Sequence, residues 1–204
     1  MSVNLGARSG STPERGAPST ARRSARRSFA GGPEAPVVLT MGRTGRSLIA
    51  AVRIVTGLLW MHGAGWKNPA RFAAHRGFFY DFMADAVTHE VLAPYAWVVR
   101  ELVLPHFTLF AWAVWLTELL LGVFLLLGLA TRFWALIGVV QSSVILLSVA
   151  NTPNEWGWSY WMMVALHLLL FAIAAGRFGG LDGLLRPYWQ GRDGRRWRLL
   201  VRAS

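Results

Sequence analysis

Arg53, Glu118, Gln141 and His167 are strongly polar side chains set singly inside four long apolar stretches. Glu118, Gln141 and His167 fall near the middles of their stretches, and Arg53 lies in the first half of its own. An ionised side chain at the centre of a membrane helix costs roughly 2.5–3.5 kcal/mol even on the mildest scale, so such groups turn inward and find partners. The residue types suit redox chemistry on a small organic carrier. Arg53, Gln141 and His167 can donate hydrogen bonds to a quinone carbonyl and stabilise the negative charge that reduction develops there. Glu118 and His167 can act as catalytic acid and base, relaying the protons that quinone reduction consumes. The same four residues can instead form a structural lock that fixes helix register, and the residues alone leave both readings open.

Helical spacing groups these residues. Arg53, Gly57 and Trp60 recur at i, i+4 and i+7, and Trp115, Glu118 and Gly122 at i−3, i and i+4, so each charge shares a face with a glycine. Small residues let helix backbones approach closely in lipid. The pattern predicts that Arg53 pairs with Glu118, or that Glu118 and His167 share a proton while Arg53 holds the net charge. Helical side chains lean towards the N-terminus of their own helix, so Arg53 and Glu118 lean apart. A water, or Gln141, is needed to close that gap.

The elements that must position these groups follow from composition. The chain has 204 residues, of which 54% are hydrophobic and 15% charged, with a mean hydropathy of +0.38. Soluble domains carry about 25% charged residues. Apolar runs occupy residues 47–63, 106–129, 133–150 and 159–175. Each approaches the roughly 17–25 residues that a helix needs to cross about 30 Å of hydrocarbon. The expected fold is all-α, a four-helix transmembrane bundle with amphipathic helices in the first outer loop. The chain has no cysteine, which excludes disulfides, iron–sulfur ligation and thiolate zinc sites. His75, His89 and His106 lack metal-ligand spacing, so no metal is expected and quinone is the candidate cofactor.

The net charge of +11 comes from the ends. Eight arginines precede the first run and seven follow the last. Cytoplasmic flanks of membrane helices are enriched in Lys and Arg, which explains the charge without nucleic acid. The basic ends can also rest on anionic lipid headgroups. An even number of spans puts both termini in the cytoplasm of a multi-pass cell-membrane protein. The link "GLATRF" then faces the cytoplasm, whereas "NTPNEWGW" and the segment 64–105 face out. Trp60, Trp66, Trp112, Trp115, Trp156, Trp158 and Trp161 cluster towards the outer ends, as an interfacial belt requires.

Residues 1–42 read as a disordered basic tail, 43–186 as the membrane domain and 187–204 as a basic cytoplasmic tail. "ARRSFAGG" lacks the apolar core of a twin-arginine signal, and Met41 is an alternative start. Deleting residues 1–40 should leave insertion and folding intact, and loss of membrane-inserted protein in that truncation would contradict it. In the outer segment, "NPARFAAHRGFFYDFMADAV" has Asn68 as an N-cap and Pro69 at the first helical position. "APYAWVVRELVLPHF" resembles it, and both suit helices covering the bundle or docking a partner. His62 with Lys67 suits interfacial snorkelling better than anion binding. Glu155 gives little signal, and Arg132 with Asp182 suits a bridge pinning the cytoplasmic ends together.

"RIVTGLLWMHGAGWK", "TELLLGVFLLLGLATRFWA" and "AAGRFGGLDGLL" together resemble the DoxX/DoxD family over about residues 46–186. "APYAWVVRELVLPHF" looks more like the DoxD branch. The resemblance implies a four-helix membrane bundle. It also implies a role like that of the membrane subunit of thiosulfate:quinone oxidoreductase, which passes electrons from thiosulfate to quinone beside a small companion subunit. The positions that match are Arg53, Glu118, Gly122, Thr131, Arg132, Arg177 and Asp182. Three functions are weighed: a quinone-linked redox subunit fed by thiosulfate or another sulfur donor, a non-catalytic scaffold for redox or stress-response partners, and a solute transporter. The last ranks lowest, because no inverted repeat or broken span is visible. Lipid is an expected partner in every case, and an oligomer is compatible with all three.

Overall fold

The computed structural model describes residues 42–67, 69–72 and 77–204. The expected tail before residue 42, Met41, Asn68 and His75 lie outside the described residues. Eight α-helices and no strand occur among those described.

Helix α1 covers Arg43–Trp66, α4 Phe107–Leu127 and α5 Thr131–Val149. These three are long and apolar enough to cross a membrane. Helix α6, Gly157–Ala172, is apolar but only 16 residues long. It stops short of the expected run because Ala174 takes φ +49° and Ala175–Arg177 forms a 3-10 turn. That turn brings the following segment back under the bundle. Between α1 and α4 lie a 3-10 turn at Pro69–Arg71, α2 at Gly77–Thr88 and α3 at Ala93–Val98, which runs on as a π-helical turn, Val99–Val103. The expected helix from Pro69 is thus a single turn, with the longer helix starting at Gly77. After α6 come α7, Leu181–Gln190, and α8, Arg195–Ala203, so the basic tail is largely helical.

Two helix pairs dominate the packing, α1 with α4 and α5 with α6. Gly57 and Gly122 set the first. A Cβ on Gly57 would lie 2.8 Å from the Gly122 carbonyl oxygen, so the backbones touch directly, as small residues in membrane helices permit. Trp60, Leu121, Leu125, Ala135, Leu170 and Ala175 form the buried core between the pairs. A second cluster of Phe72, Phe79, Phe107 and Ala111 seats the α2 cover on the start of α4. Tyr95 fastens α3 by a 2.8 Å hydrogen bond to the Ser148 hydroxyl of α5. The bundle therefore has a covered end, under α2 and α3, and an arginine-rich end, where α1 begins and α4 turns into α5.

Candidate functional site

Arg53 is almost fully buried, yet it does not meet Glu118. Its guanidinium donates to the carbonyls of Leu125 and Leu126 at the end of α4, and to Gly179 at 3.3 Å. The expected pairing is corrected, and the lean of the side chain is the reason. Arg53 points towards the N-terminal end of α1 and reaches orphan carbonyls at a helix C-terminus, where a cation is favoured.

Asp182 plays the complementary part. Its carboxylate accepts the backbone N–H groups of Ala130 and Thr131, at 2.7 and 2.8 Å, at the start of α5. Its own N–H donates to Gly128 at 2.8 Å. Gly128 adopts φ +65°, the left-handed conformation that ends α4 in a Schellman turn closed by Leu129 on Phe124. A cation on the last carbonyls of α4 and an anion on the first amides of α5 thus stabilise one joint. The expected Arg132–Asp182 bridge is not formed; Arg132 lies over the Phe171 ring at 4.6 Å instead. Arg177 reaches the Ser204 carbonyl at 3.0 Å, clasping the end of α8.

Towards the covered end, the partner of Glu118 is Lys67. The two form a buried ion pair, the only one among the described residues. Gln141 donates its amide to the other Glu118 oxygen at 3.2 Å. Desolvation pushes the Lys67 ammonium below its ordinary pKa, opposed by the charge of Glu118 and the hydrogen bond between them. Sequence reasoning assigned Lys67 to the interface and missed this role. A signal was present: residues 53, 57, 60, 64 and 67 follow a 4-3-4-3 spacing, so Lys67 continues the stripe of Arg53, Gly57 and Trp60.

His167 sits across from this pair. The Trp60 indole N–H donates to His167 Nε2 at 2.8 Å, while Nδ1 lies 2.7 Å from the Met163 carbonyl. An acceptor Nε2 and a donor Nδ1 describe a neutral imidazole with its proton on Nδ1. His167 shares no direct contact with Glu118, which corrects the expectation that the two hold one proton between them.

Trp60, Lys67, Glu118 and His167 nevertheless share a cavity of about 320 Å³, closed further by Tyr160 and Trp66. It lies between α1 and α6, which make no extensive contact with each other. Leu59, 62% exposed, stands at its rim, so the mouth opens sideways onto the apolar surface of the bundle. Gln141 faces a second cavity of about 290 Å³ under the cover, beside Tyr95 and Thr117. Arg53 lines neither. Among the other tryptophans, Trp66, Trp112, Trp156, Trp158 and Trp161 are exposed, whereas Trp60 is buried in the cavity wall. No cluster of His, Asp and Glu suited to a metal occurs among the described residues.

A membrane protein, helical over its described residues, with a mostly apolar cavity that carries a few polar groups and opens between two of its helices is the class that the fold and this geometry define. The chain belongs to the DoxD family, whose model, described as TQO small subunit DoxD, matches residues 48–201. Such membership sets it among membrane subunits of quinone-linked oxidoreductases and points to a companion subunit. No curated protein and no solved structure matched the chain. The matched span runs on past residue 186 to include most of α8, beyond the resemblance visible in the sequence motifs.

Proposed function

We propose that this protein binds a quinone headgroup in the cavity between α1 and α6 and supports its two-electron reduction, with thiosulfate or another sulfur compound as donor. The observation that carries this reading is the cavity itself: apolar walls open to the lipid side, with Lys67, Glu118 and His167 gathered on its polar face. A quinone lives in the hydrocarbon layer and enters from there. Reduction to quinol takes two electrons from the sulfur donor, which is thereby oxidised, and adds two protons, one at each carbonyl oxygen. Lys67 supplies a positive charge against the first oxygen to become anionic. Glu118 and His167 are placed to bind and to pass the protons, and Gln141 holds the Glu118 carboxylate from behind. Arg53 keeps a structural role in this reading, and Lys67 takes the place it had been given. A companion protein oxidises the donor in this reading, which draws on the small-subunit description of the family. The reading includes a four-span bundle with α6 as the fourth span, in the cell membrane, with both termini cytoplasmic and the covered end outside.

The test is thiosulfate-dependent reduction of a short-chain quinone by membranes containing the protein, together with mass spectrometry for co-purifying quinone. Glu118→Gln and His167→Ala should each lower the rate by about a hundredfold, the usual contribution of a positioned acid or base. Both should remain folded in the membrane. Full activity in both variants overturns the site. The alternative reading, a non-catalytic anchor for redox partners, draws on the small-subunit description of the family. It expects a partner protein to co-purify while quinone does not.

A further inference from the structure

The arginine-rich end carries a second site that quinone chemistry does not use. Residues 187–204 hold five arginines against a single aspartate, Asp193. Helices α7 and α8 pack on each other, and a groove of about 260 Å³ runs between them, lined by Trp189, Gln190, Arg192, Arg198, Val201 and Arg202. None of these arginines is in an ion pair among the described residues. Arg198 and Arg202 stand one turn apart on one face of α8 and look across at Arg192. Arg192 is held in place by stacking, 4.1 Å over the Tyr188 ring and 4.8 Å from that of Trp197, and by a hydrogen bond to the Tyr188 hydroxyl. Stacking of this kind leaves guanidinium N–H edges available for bidentate contacts.

We infer that this groove binds the phosphate of an anionic phospholipid headgroup. Three guanidinium groups without carboxylate partners match a phosphodiester in charge and in donor geometry. The surroundings favour a lipid over a soluble anion or a nucleic acid. Leu184, Tyr188 and Leu199, each more than half exposed, stand on the same two helices and suit acyl chains and the glycerol region. The groove also lies near an end of a membrane-capable helix, since Asp182 of α7 caps the start of α5 and α8 packs against α5. Arg177, bonded to Ser204, holds α8 in position there.

The full chain, purified in a neutral detergent, is offered phosphatidylglycerol and phosphatidylcholine in equal amounts, and bound lipid is counted by native mass spectrometry. Phosphatidylglycerol should be retained over phosphatidylcholine by about tenfold, and Arg198→Gln/Arg202→Gln should remove most of that preference, given about 1 kcal/mol per arginine near an anionic surface. Both side chains are exposed, so the variant should melt like the parent. Arg43→Gln/Arg46→Gln, which removes equal charge from the start of α1, should keep the preference. Equal retention of the two lipids overturns the site, as does an equal loss in both double variants. Displacement of the lipid by millimolar inorganic phosphate would show that a soluble anion is the ligand, and would also overturn the proposal.

Discussion

Lys67→Met is expected to destabilise the protein by about 3–5 kcal/mol, because it strands a buried carboxylate beside a single remaining donor, Gln141. Glu118 is 1% exposed and Lys67 6%, so water does not screen what is left. The reverse change, Glu118→Gln, should be milder. Lys67 follows the last residue of α1, and its four-carbon stem can carry the ammonium out past Trp66 to the headgroups. Lys67→Met/Glu118→Gln should recover much of the loss, since buried ion pairs replaced as a whole by neutral groups are often tolerated. Thermal unfolding of detergent-purified variants measures all three. Single variants within about 1 kcal/mol of the parent would show that the pair is solvated in the membrane, contrary to its burial here. Quinone reduction should be lost in the double variant even where stability returns, which separates the pair's chemical role from its architectural one.

Arg53→Leu should cost about 2–4 kcal/mol, with activity per folded molecule unchanged. The guanidinium meets three carbonyls from two segments, and hydrogen bonds to charged groups contribute roughly 1.5–3 kcal/mol each before the loss is softened by relaxation. Arg53→Lys should rescue only part of it, because one ammonium cannot fork between the end of α4 and Gly179. Quinone turnover normalised to folded protein is the informative readout. A specific loss of turnover in a stably folded Arg53→Leu would return Arg53 to the ligand site.

These contrasts show which features were readable from residue order. The apolar runs at 47–63, 106–129 and 133–150 match α1, α4 and α5 to within a few residues, because hydrocarbon length and the 3.6-residue period act locally. The link "GLATRF" was visible as the break between two apolar runs, and its glycine, Gly128, takes a positive φ there. The inward placement of Arg53, Glu118, Gln141 and His167 followed from the energetics of charge in lipid, and all four are buried. Which of them meet was not legible. Partner choice depends on the tilt of one helix against another and on how far Arg53 reaches down its own axis. Lys67 escaped notice because its position just after an apolar run resembles the ordinary interfacial lysine. The motifs that carry the family resemblance bring Arg53, Thr131 and Asp182 to the α4–α5 joint. They also supply Trp60, Lys67 and Glu118 to the cavity wall, whereas His167 lies outside them.

One face of α1 carries Arg53 at the joint, Gly57 against Gly122, Trp60 on His167 and, just beyond the helix, Lys67 on Glu118. A single inserted residue between positions 53 and 57 would rotate everything downstream by about 100° relative to the anchor. The arginine could stay seated only if the tryptophan and lysine swung out to lipid. Length changes in this stretch are therefore forbidden in a way that conservative replacements are not, and the helix behaves as a ruler whose marks must all align at once.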